Sequence, residues 1–523
     1  MQMQKSDGDH TVNVSFRRAS LIVAASLGLG VLFNILFFDK AKGISAPIFT
    51  VVGLTSLWAL ARRYKVSIPK PAMLMAVPLL FFSSMIFVRA GGLITFLNII
   101  MSLYLAALML HMVYRPNIRQ FVLRDYVGIP FAQLTAYTKS ACNTLAAFAG
   151  IRTFVRKHEH APQILRGIAI AVPLLLLFTA LFASADLVFR RYVGDIFSFH
   201  INDNVIGQLI VISVVAFLAS GIFTYLLRKP GAPLKGANPE SNTFFKLGRI
   251  EASILFSSLN ALFLLFIIVQ LAYLFGGARA IGAGYTYAEY ARKGFFELIT
   301  VAVITFVVVW AVEKMLQRQD ARQSKQFRWL SVALIAQVMV VMVSAFKRLT
   351  LYESAYGFTS LRFYSHLAIV WLALIFCFLL YKILKDQRES TFAYLAFGSV
   401  LAALAFVNVV NVDAFVARQN IARYETTHKL DVSYITQLSD DAIPETAKLL
   451  HASDPRLRIV YAGVLYQKQQ ELKHKEQPWQ SRNLARQHAL DVLNAEGDTL
   501  KQHKDQRLEY LIPLSSSSTQ YED

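Results

Sequence analysis

The sequence predicts an all-α, polytopic transmembrane helical bundle, and three observations carry that prediction. Of 523 residues, 55% are hydrophobic, 39 are Phe and only 16% are charged, a profile that points to a membrane chain. The apolar residues gather in runs close to the roughly 20 needed to cross a hydrocarbon core about 30 Å thick. Lys and Arg crowd into alternate connections between those runs, which is the pattern that orients helices in a bilayer.

About eleven runs qualify, at residues 19–38, 44–61, 72–88, 91–114, 164–184, 204–227, 252–275, 294–312, 329–346, 364–381 and 391–410. Each is expected to be helical, because lipid offers the backbone no hydrogen-bond partner other than itself. The third and fourth are parted only by Arg89, Ala90 and two glycines and read as a tight hairpin. The N-terminus (1–18) and the even-numbered connections are richer in Lys and Arg than the odd-numbered ones. The N-terminus is therefore expected in the cytoplasm and, with an odd number of crossings, the C-terminus outside it.

Within the bundle region, 19–410, the connection 115–163 is long and basic. Its stretch "FAQLTAYTKSACNTLAAFAGI" repeats apolar positions at helical spacing, with Gln133, Lys139 and Asn143 between them. An amphipathic helix lying on the membrane is expected there. Residues 229–248 are a linker rich in Pro, Gly and Asn. Residues 411–512 are polar and helix-patterned and are expected to form a small extracytoplasmic domain, with Ser439 as an N-cap ahead of acidic residues. The tail 513–523, ending "SSSSTQYED", is expected to be disordered.

The formal net charge is +20. The last 113 residues are close to charge balance, so the excess belongs to the membrane part. It reads as a topology signal with contact to anionic membrane lipids, and no nucleic-acid partner is expected. Cys142 and Cys377 are the two cysteines and fall in different environments, so no disulfide is expected.

Signatures of soluble enzymes are missing: there is no phosphate loop, no G-x-G-x-x-G, no H-E-x-x-H, no C-x-x-C and no G-x-S-x-G. His158, Glu159 and His160 lack a completing ligand, since residues two apart diverge on a helix. No cofactor and no metal is expected, and no catalytic residue is assigned.

Four polar stretches all fall on the expected extracytoplasmic side. In "SADLVFRRYVGDIFSFHIND", Asp186 and Arg190 stand one helical turn apart, with Arg191 beside them. In "GYTYAEYARKGFFEL", Glu297 sits at the end of an apolar run, where an acid is costly unless paired or hydrated. "RLTLYESAYGFTSLRFYSH" places Tyr352 and Tyr356 on one helical face, allows a sharp turn at Gly357, and brings Glu353, Arg362, Tyr364 and His366 close to the interface. "NVDAFVARQNIARY" carries Asp413, Arg418, Asn420 and Arg423, suited to capping the last span or joining it to the terminal domain. The candidate binding residues are thus Asp186, Arg190, Arg191, Glu297, Glu353, Tyr356, Arg362, Tyr364, His366, Asp413 and Arg418. Of these, Glu297, Glu353, Arg362 and Asp413 are expected to face one aqueous cavity.

The motifs "SADLVF", "EYARKGFFEL", "RLTLYESAYGFTSLRFY" and "NVDAFVARQNIARY" resemble those of a bacterial polytopic membrane family, domain of unknown function four-one-seven-three, related to four-one-five-three. The resemblance covers roughly residues 20–450. It implies a multi-pass helical bundle in a bacterial inner membrane and supplies no catalytic assignment.

Three functions fit these features. The first is a transporter or receptor-like envelope protein that binds a small anionic solute or lipid headgroup at its outer face through guanidinium donors. The second is an integral-membrane enzyme acting on a lipid-linked substrate, although the first outer loop, "DKAKGIS", holds only Asp39 where such enzymes show acidic residues. The third is an envelope signalling or assembly scaffold that contacts protein partners through its C-terminal domain.

Overall fold

A computed structural model describes residues 16–149, 203–227, 248–275, 295–315, 321–474 and 478–505. The described residues are helical, without strands. The bundle comprises α1 (Phe16–Phe37), α2 (Ser45–Arg63), α3 (Lys70–Leu74), α4 (Ala76–Val88), α5 (Gly92–Met112), α6 (Leu123–Phe148), α7 (Asp203–Leu226), α8 (Arg249–Phe275), α9 (Phe295–Met315), α10 (Ala321–Tyr356), α11 (Ser360–Lys385) and α12 (Glu389–Val410). Ten helices are long and apolar enough to cross a membrane, with α3 and α4 counting as one and α6 excluded. The chain is a multi-pass membrane protein. The expected span 164–184, Asp186, Arg190, Arg191 and the triplet 158–160 lie outside the described residues.

Local breaks follow from proline. Pro78 has no N–H for the Leu74 carbonyl, so helix α3 stops there and α4 begins after Met75. Inside α6, Pro130 frees the carbonyl of Tyr126 in the same way, and the Tyr104 hydroxyl donates to that oxygen at 3.0 Å.

Helix α6 is the amphipathic element read from residues 131–151, and each of its faces mixes polar and apolar side chains. The side turned to the bundle buries Gln133, Ser140 and Thr144, whereas Val127, Phe131, Leu134, Leu145 and Phe148 point outward. Gln133 therefore does not lie on the outer polar face. Its amide is 2.7 Å from His111 Nδ1 and donates to the Tyr225 hydroxyl at 3.3 Å, tying α6 to the ends of α5 and α7. A Cβ at Gly221 would overlap the Tyr137 carbonyl, so the α6–α7 crossing needs glycine.

The helices form two halves. One gathers α1, α2, α4, α5, α6 and α7; the other gathers α8 to α11 around Phe256, Leu334, Val338 and Phe376. Helix α12 touches both. Near its C-terminal end, Asn408 and Asn98 of α5 exchange two amide hydrogen bonds of 2.8 Å, and both residues are 0% exposed. In the second half, Lys382 pairs with Glu313, both nearly buried.

Beyond α12 the chain continues as α13 (Val412–Thr427), α14 (Val432–Thr436), α15 (Ile443–Thr446), α16 (Pro455–His474), α17 (Leu484–Ala495) and α18 (Gly497–Gln502). These helices share a core of Ile435, Leu449, Leu457, Tyr461, Leu465, Leu493 and Leu500. Helix α13 works as a strut. Val412 and Val416 pack into the bundle with Ile94 and Val407, while Ile421 and Tyr424 pack into the terminal core.

The terminal layer rests on several connections at once. Ile44 N–H donates to the Arg482 carbonyl at 2.9 Å, and Gln480 donates to the Ile35 carbonyl at 3.3 Å. Asn483 donates to the carbonyls of Ile86 and Arg89 at 3.2 and 2.9 Å. Tyr434 accepts from Ser360 N–H at 2.7 Å. The α1–α2, α4–α5 and α10–α11 connections and the end of α12 therefore share one face, and α6 covers the opposite one. Helix α6 ends on the face where α1 begins, with Phe148 stacked by Phe16, and α7 begins on the other, with Gly207 beside Phe38.

Candidate functional site: a cleft where three helix junctions meet the terminal layer

Three chain junctions converge under the terminal layer. The α4–α5 hairpin turns through Arg89, Ala90 and Gly91. The α10–α11 hairpin turns through Gly357, whose φ of +86° suits glycine, to Thr359, whose side chain caps α11 by accepting from Arg362 N–H. At the α12–α13 junction, Asn411 takes a left-handed φ of +56° and its side chain accepts from Ala414 N–H. Asparagine tolerates this conformation better than most residues.

Arg89 organises the centre. Its Nε and one Nη donate to the carbonyls of Asn408 and Val409 at 2.7 and 3.2 Å, closing the C-terminal end of α12. Its other Nη lies 3.4 Å from Asp441. Those carbonyls have no helical partner and carry the negative end of the helix dipole, so a cation fits there. Asp441 also accepts from the N–H groups of Ala90 and Gly91 at 2.6 and 3.1 Å. Its side chain is 4% exposed. Burial pushes its carboxyl above the usual range, against the lowering effect of the Ala90, Arg89 and Gly91 donors.

Asp413, partly exposed, is the second acid. Oδ1 accepts from the Ser360 hydroxyl at 2.8 Å, and Oδ2 accepts from the N–H and hydroxyl of Ser439. Ser439 does stand at the start of a helical turn, yet its side chain makes no cap bond and serves Asp413 instead. Together these residues enclose a cleft of about 200 Å³ lined by Arg89, Gly92, Tyr364, Asn411, Asp413 and Asp441, with Leu93 and Leu361 also on its wall.

Of the residues singled out from sequence, Tyr364 and Asp413 line this cleft. Glu353, Tyr356, Arg362 and His366 do not line it and form a neighbouring group at the α10–α11 turn. There His366 lies 3.8 Å from Glu353 and 3.2 Å from the Thr350 hydroxyl. The Arg362 guanidinium donates to the Gly357 carbonyl and sits 4.2 Å over the Tyr352 ring, which packs 5.0 Å from Tyr356. Arg418 faces solvent and pairs with Glu445 at 2.7 Å. Burial raises the Glu445 carboxyl, but hydrogen bonds from Arg418 and Lys448 outweigh it and hold the group below its ordinary value. Glu297 is exposed in the first turn of α9, away from this lining. The single cavity expected for Glu297, Glu353, Arg362 and Asp413 is therefore replaced by a cleft that takes only Asp413 from that set.

The remaining polar residues of "NVDAFVARQNIARY" join the layers. The Asn420 amide accepts from Phe358 N–H at 2.9 Å and donates to its carbonyl at 2.7 Å, while Arg423 donates to the Ala355 carbonyl at 2.8 Å. Sequence reasoning missed Arg89, Asp441 and Asn483. A lone arginine in a three-residue turn between two apolar runs was the available signal for Arg89. Among the described residues no three His, Cys, Asp or Glu side chains gather as a metal site.

No curated protein and no solved structure matches the chain. A family model described as "Domain of unknown function (DUF4153)" matches residues 76–449, a stretch that holds the α4–α5 hairpin, the α10–α11 turn, Asp413 and Asp441. The chain belongs to the DUF4153 family.

Proposed function

We propose that the chain is a receptor-like protein of a bacterial inner membrane that seats a small ligand in the cleft and passes its occupancy to the terminal layer. In this reading the N-terminus is cytoplasmic and the terminal layer extracytoplasmic, following the bias of Lys and Arg. The observation that carries the reading is the convergence of the α4–α5, α10–α11 and α12–α13 junctions with Asp441 on one small cavity. A ligand there touches both halves of the bundle and the terminal layer together, which is what a differential contact between two states requires. Envelope proteins would be engaged through the outer surface of the terminal layer, and anionic lipid through the exposed Arg124 and Lys139 of α6.

Hydrogen exchange on the full chain tests this. Segment 436–446, which holds Ser439 and Asp441, is expected to exchange more slowly in protein purified gently with its bound lipid and solute than in protein stripped of them. Identical exchange in both would count against a receptor. A reporter fused after Asn411 that is active only in the cytosol would reverse the orientation.

An enzyme acting on a lipid-linked substrate draws on one observation: Asp413 and Asp441 both approach the Ser439 hydroxyl, at 2.5 and 3.5 Å. Both carboxylates already hold structural donors, so the receptor reading is preferred. Turnover lost in D413N while the terminal layer stays seated would favour the enzyme.

A further inference from the structure

The cleft keeps hydrogen-bonding capacity of two kinds. The N–H groups of Gly92, Leu93 and Ile94 open α5 and have no acceptor one turn back, so they face outward at the positive end of a 21-residue helix. Gly92 leaves the approach open, since a Cβ there would meet nothing within 4 Å. Arg89 retains N–H groups beyond its three bonds. Such a set suits a phosphate.

The second kind is acceptor capacity. Asp413 Oδ1 accepts from Ser360, and Asp441 Oδ1 has only Arg89, at the long distance of 3.4 Å. Each carboxylate oxygen takes two donors. Asp441 is buried and Asp413 partly exposed, and both keep lone pairs on the cleft side that can take a further donor. A primary ammonium supplies three N–H groups, whereas a quaternary ammonium supplies none.

The walls supply a third constraint. Leu93 and Leu361 begin two membrane spans, line the cleft and are 53% and 67% exposed. Exposed apolar side chains at the start of two spans suit contact with acyl chains.

We propose that the cleft binds the headgroup of a phospholipid with a primary ammonium beside its phosphate. The ammonium donates to Asp413 and Asp441, the phosphate accepts from Arg89 and the first N–H groups of α5, and the acyl chains leave past Leu93 and Leu361. The assignment rests on the ligand-seating part of the function proposed above and is independent of any response in the terminal layer.

The test uses the full chain, stripped of lipid in detergent. It is offered equal amounts of phosphatidylethanolamine, phosphatidylglycerol and phosphatidylcholine, and separately water-soluble phosphoethanolamine, with bound species counted by native mass spectrometry. Phosphatidylethanolamine is expected to be retained at least tenfold over the other two lipids and over the soluble headgroup. G92E places an acid at a helix start, where folding tolerates it, and is expected to lose at least tenfold in that retention at an unchanged unfolding midpoint. D413N is expected to erase the preference over phosphatidylcholine. Equal retention of the three lipids, a preference for phosphatidylglycerol, soluble headgroup bound as well as lipid, or G92E retaining the lipid would each overturn the proposal. Selective binding without a change in exchange at 436–446 would leave this assignment standing and remove the receptor reading.

Discussion

The two faces of the bundle each carry a docked layer, and the layers are fastened by different chemistry. Under the terminal layer the contacts use formal charge: Arg89 with Asp441, Asp413 with two serines, and asparagines gripping backbone groups. On the opposite face α6 is held by a neutral network, in which Gln133 meets His111 and Tyr225 and Thr144 meets Thr224, while Tyr114 ties the end of α5 to the carbonyls of Tyr225 and Leu226 in α7. The comparison teaches that the charged junction depends on pairing and the neutral one on close approach. Removing one ion from the first leaves another stranded. The second fails when helices are pushed apart.

R89A is the sharpest way to break the comparison. It strands Asp441 and opens the end of α12, so the terminal layer is expected to lose about 3–5 kcal/mol of seating, read as faster proteolysis of residues 412–505 in detergent. A loss below about 1 kcal/mol would mean the charged junction is no different from the neutral one. G221L comes next. A side chain there collides with the Tyr137 carbonyl, and overpacking of this kind costs about 1–3 kcal/mol. The expected signature is a lowered unfolding temperature with the terminal layer still protected.

A pH series separates the faces more finely. The Asp441 carboxyl is raised by burial, so its contribution is full below the unfolded value near 3.9 and is lost as pH rises through the raised folded value. Protection of 436–446 is therefore expected to weaken as pH climbs through that window and to flatten in D441N. Glu445, whose folded value is lowered, acts in the opposite sense at lower pH. Its contribution is present above about 4.3 and disappears as pH falls through its depressed value. The smallest effect belongs to R418A. That side chain is solvent-exposed, exposed pairs contribute little, and no change in the unfolding midpoint is expected.

Much of the fold was legible in the sequence because lipid makes the signal long and redundant. The apolar runs at 19–38, 44–61, 72–88 and 91–114 correspond to α1, α2, α3 with α4, and α5. Boundaries were less legible. The run 329–346 belongs to a helix that extends from Ala321 to Tyr356, so Tyr352 and Glu353 sit on a span rather than in a connection, and only residues 357–359 turn. Polar residues at a span end obey helical hydrogen bonding as well as apolar ones do. The site was half legible. Asp413 and Asn420 announced themselves by their density of polar groups. Arg89 and Asp441 stand 352 residues apart, and no local pattern reports a pairing made only when the terminal layer closes over the hairpin.

The Asn98–Asn408 pair makes two contacts depend on one helix. Asn98 precedes its partner by 310 residues, and a buried amide without a partner is costly. Without α12, that side chain lacks the partner it has in the folded chain. The helix that satisfies the amide also supplies the Asn408 and Val409 carbonyls that Arg89 holds, so one element completes both contacts.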